Sequence, residues 1–415
     1  MLQVTSARRV GSRRVAYNEL MMPEYLAPGV YVEGTSFGHG PIAPSPTSIA
    51  AFVGATVKGP LHRPTHLNNI AAYRESFGPI SSACPVSLSV FQFFSNGGRR
   101  AIVIRTASVS ADSRGRATRI VGDAGKGTGI HALGNSPSVG LLLTPDVSAM
   151  GLREHSSVTR SVLTFCEKHR IFYLVDAPQS RSRRNRVDTV VAWAKRSAAM
   201  QHPNAAVYFP RVRMSDPSGK SNSILVAASG AVAGVYARTD NQRGVWTPPA
   251  GTRARLLGIT DVEFALSEGH TERLQSASIN PVRSFPGHGI LAWGARTFAP
   301  GGSSSEWKYV SVRRTLLFIE SSVEEGLRWV VFEPNDEALW AQIRLSISSF
   351  LNHLFRQGAF PGTSTREAYF VSCGRDTMTQ NDIREGRVIA EVGFAPLKPA
   401  EFVVLRIGLC TGESN

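Results

Sequence analysis

Five short, almost uninterrupted apolar runs between residues 48 and 210 constrain the fold of this chain more than any other feature. They lie at residues 48–57 (SIAAFVGATV), 101–105 (AIVIR), 140–146 (GLLLTPD), 171–178 (IFYLVDAP) and 205–210 (AAVYFP). Runs of this length, bounded by turn residues, are typical of strands buried on both faces of a sheet. Helical segments separate them, so the sequence predicts an α/β fold with a mostly parallel sheet over residues 139–210.

The rest of the chain has a different pattern. Residues 106–138, rich in Ser, Gly, Asp and Arg, predict a surface loop, and residues 223–236 (SILVAASGAVAGVY) predict a buried helix. An amphipathic helix is predicted from Trp307, and a second one from the N-cap Asn335 to Gly358. Predicted strands are RWVVFEP, AYFVSCG, GRVIAEVGF and EFVVLRIGL, which give the C-terminal part an α+β character.

Both ends of the sequence contain short strands with little neighbouring chain to pair with. Residues 1–22 are basic and aperiodic, and we expect them to be disordered. The β-forming runs that follow or close the chain are Val30, Tyr31, Val32 and Glu33 at one end, and Phe402, Val403, Val404 and Leu405 at the other. Such strands are stabilised chiefly by pairing with an open sheet edge, so we expect both to act as arms between subunits.

Charge and cysteine content narrow the class of protein. The net charge of +15, from 46 Lys and Arg against 31 Asp and Glu, would suit nucleic acid, an anionic membrane surface or an acidic protein. Much of the excess lies in residues 1–20 and 181–196, and such runs are more often solvated faces, so we expect no direct binding of nucleic acid.

The four cysteines (Cys84, Cys166, Cys373 and Cys410) predict free thiols in a reducing compartment. No segment has the apolar length of a membrane span or signal peptide, so we expect cytoplasmic synthesis without membrane insertion.

Motifs that resemble catalytic sites lack the context that the chemistry needs. Gly34–Gly38 has the G-x-S-x-G spacing of a nucleophile elbow, but the Gly/Pro-rich sequence after it cannot form the required helix. The order Asp176, His202, Ser229 is that of subtilisin-like proteases, with Asp176 ending a strand and Ser229 opening a helix. Its spacing is loose and no asparagine can be placed as an oxyanion donor, so we assign no catalytic residue.

No cofactor or metal site is predicted. GDAGKGTG (residues 122–129) has too few residues between its first glycine and the Gly-Lys pair to be a phosphate-binding P-loop. His62 and His66 are four residues apart, but Pro64 between them prevents the helix that would bring both to one metal ion.

The stretch PGHGILAWGART (residues 286–297) predicts a turn packed around an aromatic side chain. Gly287, Gly289 and Gly294 would permit positive φ and close backbone approach. We expect Trp293 to be a large buried anchor there.

A set of motifs spread from Pro23 to Leu409 resembles contractile tail sheath proteins, the family found in contractile phage tails and related injection systems. In chain order these are PEYLAPGVYVEG, TSIAAFVGATVKGP, VAGVYARTDNQRGVWTPPAG, INPVRSFPGHGILAWGART, WKYVSVRR, FEPNDEALW, AYFVSCG and KPAEFVVLRIG. Two positions depart from the family: Gly34 stands where an acid is common, and AASG precedes the third motif where prolines are usual. The conserved order of these blocks makes the resemblance specific.

The resemblance implies a structural protein and not an enzyme. Its subunits would polymerise as stacked six-fold rings around an inner tube, and the sheath would shorten and widen to drive the tube through a target envelope. It also implies baseplate and tail-terminator or cap partners, no cofactor, assembly in the cytoplasm, and a final location in a phage tail or injection particle. The family's middle domain is subtilisin-like in fold without protease activity. A subtilisin-like α/β hydrolase is the alternative function.

Domain boundaries and tube contacts follow from this interpretation. Residues 1–22 form the extension and 23–47 the N-terminal arm. Residues 48–105 contribute the N-terminal part of a core domain, 106–282 a subtilisin-like α/β middle domain, 283–400 the C-terminal part of the core, and 401–415 the C-terminal arm. The tube contact should be polar so that it can break, and the candidates on the first C-terminal helix are Arg313, Arg314, Glu320 and Glu324.

Overall fold

The structure is a computed structural model that describes residues 41–112, 114–135, 139–179, 186–196, 200–300 and 305–401. The expected extension, both strand arms, the Gly34–Gly38 motif and Cys410 lie outside these ranges. Within the described part, no helix combines the length and apolar character needed to cross a lipid bilayer.

The elements are numbered in chain order. The strands are β1 (Ala50–Thr56), β2 (Thr65–Leu67), β3 (Ala101–Ser108), β4 (Leu141–Leu143), β5 (Phe172–Asp176), β6 (Ala205–Phe209), β7 (Val212–Met214), β8 (Ile224–Val226), β9 (Ile259–Val262), β10 (Ile279–Phe285), β11 (Gly289–Ala292), β12 (Tyr369–Cys373) and β13 (Ala390–Phe394). The α-helices are α1 (Ile70–Phe77), α2 (Pro85–Ser95), α3 (Arg116–Val121), α4 (Leu152–Lys168), α5 (Arg186–Arg196), α6 (Ser229–Arg243), α7 (Glu268–Ser276), α8 (Val310–Gly326), α9 (Glu337–Arg356), α10 (Thr365–Ala368) and α11 (Gln380–Arg384).

The largest element is a sheet of eight strands in the order β11-β10-β6-β5-β4-β1-β3-β2. Strands β10 to β3 in this order are parallel, and the edge strands β11 and β2 are antiparallel to their neighbours. Every residue of β1, β4, β5 and β6 is buried, which explains the uninterrupted apolar runs. The predicted mixed α/β fold is confirmed.

The sheet extends across two of the predicted domain boundaries. Strand β1 lies between β3 and β4, so residues 48–105 supply central strands of the same sheet that residues 106–282 complete. The boundary after residue 282 falls within β10. Sequence patterns show where strands begin and end but not which strands pair, and this is why a continuous sheet was divided.

Helices cover both faces of the sheet. Apolar residues of α1, α2 and α6 pack on one face, and those of α3, α4, α5 and α7 pack on the other. Helices α2 and α6 approach closely through Gly230 and Gly234. A Cβ at Gly230 would lie 2.6 Å from Ser89 Cα, and one at Gly234 would lie 2.6 Å from the Phe93 carbonyl oxygen.

Several local predictions need correction. The expected loop at 106–138 contains α3 and a 3₁₀-helix (Gly129–Asn135), because Ile120 and Ile130 are apolar enough to pack under the sheet. Residues 224–226, expected in a helix, form β8, which pairs with β7 in a small antiparallel sheet with β9. Trp293 is half-buried and packs against half-buried Phe285 with the two rings tilted by 43°, so it is not a fully buried core anchor.

The glycines around Trp293 act as expected. Gly287 and Gly289 have φ of 76° and 80°, in the left-handed region that favours glycine. Gly294 has no such φ, but a Cβ there would lie 2.8 Å from Asn280 Oδ1. These glycines allow β10 and β11 to form a tight antiparallel hairpin.

The C-terminal part packs α8 and α9 with the β12–β13 hairpin around a separate core. The predicted apolar stripe of α9 is confirmed, since its side chains are all buried: Trp340, Ile343, Ile347, Phe350, Leu351 and Leu354. The N-cap is Asp336, whose side chain accepts a bond from Leu339 N; the predicted cap, Asn335, instead accepts one from Trp340 Nε1. The predicted strand RWVVFEP is a 3₁₀-turn (Arg328–Val330) followed by an exposed loop.

Candidate functional site: helix α8 and the roots of the terminal segments

A buried ion pair joins helix α8 to helix α6. Arg314 donates to Asp240 through both terminal nitrogens, at 2.9 Å to Oδ1 and 2.6 Å to Oδ2, and each side chain is only 3% exposed. The guanidinium also lies 4.9 Å from the ring centre of Tyr236. Two parallel charge-assisted bonds in a buried site fix both the position and the orientation of the two side chains. The pair therefore locks α8 to the α/β body.

The same pair holds the chain where it enters the described fold. We call residues 41–47 the N-terminal root. Thr47 donates to Asp240 Oδ2 at 2.8 Å, and its carbonyl accepts from Arg314 at 3.0 Å. Ser45 N donates to Ser322 Oγ at 2.9 Å, and buried Ile42 packs beside Gly326. The N-terminal root is thus fastened along α8 as far as its C-terminal end.

The chain leaves the described fold through a second fastening. We call residues 395–401 the C-terminal root. Glu401 accepts two bonds from Arg296, at 2.7 and 2.9 Å, and further bonds from Lys308 at 2.7 Å and Tyr309 at 3.1 Å. Partial burial opposes ionisation of Glu401, but the bonds from Arg296 and Lys308 outweigh it and lower the pKa of the carboxyl group. Tyr309 is the N-cap of α8, so the chain leaves the described fold at the start of this helix and enters it, at residues 41 and 42, beside the helix end at Gly326.

Strands β12 and β13 form a two-stranded antiparallel hairpin directly before the C-terminal root. Within the described ranges, neither strand pairs with a third strand, although the Cys373 carbonyl of β12 accepts a bond from Arg344 of α9. A two-stranded sheet with free edges is a favourable template for an added strand. Ala395 N donates to the Ala368 carbonyl at 2.8 Å, which ties the end of the hairpin to the C-terminal root.

The Asp176, His202, Ser229 set is not assembled as a catalytic triad. Ser229 Oγ donates directly to Asp176 Oδ2 at 2.7 Å, where a triad would place a histidine between them. His202 precedes the start of β6, at the opposite end of the sheet from Asp176, and its Nε2 lies 3.6 Å from Glu167. Burial raises the pKa of Asp176 to about 7. The bonds from Ser229 lower this pKa, but their effect is smaller than that of burial. The arrangement caps α6 and offers no activated nucleophile.

The other motifs have structural roles. His62 Nδ1 accepts a bond from Gly129 N at 3.1 Å, which links it to the GDAGKGTG loop, and burial lowers the pKa of its imidazole. In that loop Asp123 accepts from Lys126 N at 3.0 Å, so the loop is folded on itself. Among the described residues, no three His, Cys, Asp or Glu side chains come together as metal ligands would.

The four predicted tube contacts do not share one accessible surface. Arg314 must be removed from the set, because it is buried and bonded to Asp240. Arg313 is partly buried and donates to Asn204 Oδ1 at 2.6 Å. Glu320 and Glu324 keep exposed side chains on α8 and pair with Arg170.

Two sequence families match this chain. The phage tail sheath protein central domain matches residues 145–298, and the phage tail sheath C-terminal domain matches residues 303–409, so that together they cover more than half of the chain. The chain belongs to the tail sheath family. It is therefore a structural protein of a contractile phage tail or injection system.

Individual sheath proteins agree with this assignment. A prophage major tail sheath protein of Pseudomonas aeruginosa is 25% identical over 318 residues, which cover 73% of this chain and 75% of that protein. The tail sheath protein of Vibrio phage KVP40 is 25% identical over 181 residues, 43% of this chain but only 26% of that protein. The chain thus spans about a quarter of that longer sheath protein. The helical sheath of the anti-feeding prophage in its contracted state has a TM-score of 0.73 and 27% identity, over 92% of this chain and 98% of that one.

The Arg314–Asp240 pair was missed by sequence reasoning, although both residues lie in recognised sheath motifs. Asp240 is in VAGVYARTDNQRGVWTPPAG and Arg314 in WKYVSVRR. An aspartate and an arginine in two motifs of one family would have been a reason to test them as partners.

Proposed function

We propose that this sheath protein polymerises as stacked six-fold rings around an inner tube, and that the polymer contracts to drive the tube through a target cell envelope. The observation that carries the proposal is that both terminal segments are fastened to the ends of α8 just before they leave the described fold. When one subunit moves, a segment anchored in this way would move the neighbouring subunit to which it is bound. No chemistry at a single site is needed. The energy for contraction would come from the difference between two ways of packing the same subunits, summed over many interfaces.

In this proposal the β12–β13 hairpin is where neighbours join. Strands 30–33 and 402–405 of adjacent subunits would add to its two free edges, so that backbone hydrogen bonds supply affinity. Such joints would persist while the subunits rotate, because the roots hold the segments to each body. The middle α/β body would retain a subtilisin-like topology without protease activity, and its Asp176–Ser229 pair would be structural.

The partners follow from the same proposal. They are further copies of the chain, the inner tube, the baseplate and a tail-terminator or cap protein; no nucleic acid or membrane contact is required. We keep Arg313, Glu320 and Glu324 as proposed tube contacts. Assembly would take place in the cytoplasm before the sheath becomes part of a phage tail or injection particle.

Electron microscopy of deletion variants tests the proposed function. The full chain should form helical tubes of stacked rings when mixed with its tube protein. Removal of residues 23–36, or of 402–409, should leave a folded subunit with unchanged circular dichroism but abolish these tubes. The matched control is removal of residues 1–20, which should leave assembly intact. Tubes formed equally well by all three deletions would contradict the strand-arm joints, and a full chain that forms no tubes with its tube protein would contradict the polymer itself.

A further inference from the structure

Phe332 is the most exposed large apolar side chain of the described residues. It is fully exposed and follows Val331, which is 63% exposed, in the loop between α8 and α9. Its φ is 75°, a left-handed conformation that bulky residues rarely adopt. A strained backbone that holds an aromatic ring in water is costly for an isolated subunit, which points to a role in contact with something else. We call Val331, Phe332 and Glu333 the knob.

Acidic residues follow the apolar pair Val331 and Phe332 in the sequence. Glu333, Asp336 and Glu337 follow Phe332 within five positions, in a chain whose net charge is +15. Glu333 forms no ion pair with another described residue, while Glu337 is 3.4 Å from Arg375 at the surface. The knob therefore presents an apolar tip followed by Glu333, whose charge is available to a partner, since Asp336 caps α9 and Glu337 pairs with Arg375.

A groove with the complementary character lies at the other end of α9. It has a volume of about 510 Å³ and is lined by Trp246, Pro248, Gly358 and Leu397, with Arg243 and Lys398 at its rim. An adjoining groove of about 580 Å³ shares Arg243 and Trp246 and adds Arg100. Arg100, Arg243 and Lys398 are all exposed. This is an aromatic and proline-lined groove with a basic rim.

The two features are separated along a rigid element. Helix α9 has 20 residues, so at 1.5 Å per residue it is about 30 Å long. Phe332 precedes its N-terminus and Gly358 follows its C-terminus, and a knob so placed cannot fill the groove of its own subunit. It can fill the groove of the next copy, which is a head-to-tail contact. Such contacts generate rings when the rotation closes and open helices when it does not.

We propose that the knob of one subunit inserts Phe332 into the Trp246 groove of a second copy of this chain, with Glu333 facing Arg243 and Lys398. The contact deepens the proposed function, on which it rests, by assigning a side-chain interface in addition to the strand arms. An aromatic ring in a groove with matched charges at the rim has the composition of an interface hot spot.

Crosslinking within assembled particles tests the contact. Chains carrying Phe332→Cys are co-assembled with chains carrying Arg243→Cys, both with Cys410→Ser, and treated with a short bismaleimide; Cys84, Cys166 and Cys373 are buried and should not react. The expected product is a dimer containing one chain of each kind. The control replaces Arg243→Cys by Arg153→Cys, an exposed site on α4, and should give no such dimer. Absence of the expected dimer in particles of normal appearance overturns the contact.

Assembly measurements give a second test. Phe332→Gly removes the ring and suits the φ of 75°, so the subunit should fold at least as well as the parent while its critical concentration for assembly rises by about tenfold or more. Leu345→Ser, at an exposed position on the outer face of α9, is the matched control and should assemble normally. Glu333→Lys and Lys398→Glu should each weaken assembly, and together they should restore part of it.

The outcomes separate this inference from the proposed function. Normal assembly of Phe332→Gly, or crosslinking of residue 332 to the tube protein, overturns the second-copy contact and leaves the strand-arm polymer standing. Assembly that survives removal of residues 23–36 and 402–409 but fails with Phe332→Gly supports the knob and counts against the arms.

Discussion

Arg314 and Asp240 form a bidentate ion pair that is buried between α8 and α6, and Thr47 from the N-terminal root bonds to both. Three segments far apart in the sequence therefore meet at one pair of charges. Removing one partner of such a pair leaves the other buried and uncompensated, which is the costly case for a buried ion pair.

Arg314→Met should lower the free energy of unfolding by about 3–5 kcal/mol, because Asp240 would lose its counter-charge. Urea unfolding followed by circular dichroism measures the change. Arg314→Met combined with Asp240→Leu should recover much of the loss, since no charge is then left buried. Arg313→Met, at the neighbouring half-buried position, is the control with a smaller expected loss, and an equal loss in both single variants would contradict the prediction.

Asp176 should make stability depend on pH. Its pKa rises from 3.8 in the unfolded chain to about 7 in the folded one. Between these values unfolding releases a proton, so the free energy of unfolding falls as pH rises from about 4 to 7 and then levels. Asp176→Asn removes this pH dependence. Between pH 4 and 7 the free energy of unfolding of the variant should therefore rise relative to that of the parent by up to about 4 kcal/mol.

Urea unfolding at several pH values between 4 and 8 measures the difference between Asp176→Asn and the parent. Glu272→Gln, at an exposed position on α7, provides the control and should show no such trend. A difference for Asp176→Asn that stays constant over the whole range would show that the carboxyl group is not held protonated.

Glu401→Gln should loosen the C-terminal root. The variant loses charge-assisted bonds to Arg296 and Lys308, and we expect a stability loss of about 1–2 kcal/mol that shrinks in high salt. Because the folded pKa of Glu401 is lowered, the contribution is present above the unfolded pKa and lost as pH falls through the folded value. Hydrogen exchange of the Ala395 amide should speed up, whereas exposed Glu391→Gln should leave it unchanged.

Two glycine-to-alanine substitutions in helices should have opposite signs. Gly230→Ala on α6 would place a Cβ against the α2 backbone and should cost about 1–3 kcal/mol. Gly269→Ala on α7 meets nothing within 4 Å and should gain about 0.5–1 kcal/mol, because alanine favours a helix over glycine. Thermal unfolding of both variants checks the pair; stabilisation by Gly230→Ala would mean that α2 and α6 are less closely packed.

The strands and the α9 stripe could be predicted because each depends on a local pattern. Uninterrupted apolar runs mark β1, β4, β5 and β6, and three-to-four spacing marks α9. The central place of β1 could not be predicted, because pairing with β3 and β4 joins residues far apart in the chain. The predicted domain boundary at residue 105 consequently falls within a strand of the continuous sheet.

The candidate site could be predicted only in outline. The terminal arms stay predictions, since they lie outside the described residues. Arg314 was predicted as a tube contact because a helical charge pattern does not reveal a partner 74 positions away. The VVF triplet suggested a strand at Phe332, but the structure has a loop there, and Pro334, shortly before the cap of α9, is the sequence signal that would have favoured a turn.

The fastening of both roots to α8 has a mechanical consequence. A pull on the chain at residue 41 enters the helix near Ser322 and Gly326, while a pull at residue 401 enters beside its first turn. The load path between them, about 25 Å long for 17 residues, runs along the helix axis and parallel to its backbone hydrogen bonds. Tension passed from one neighbour to another would be divided between this helix and the eight-stranded sheet, because Thr47 is followed closely by β1 and the Arg314–Asp240 pair couples α8 to the sheet's helices.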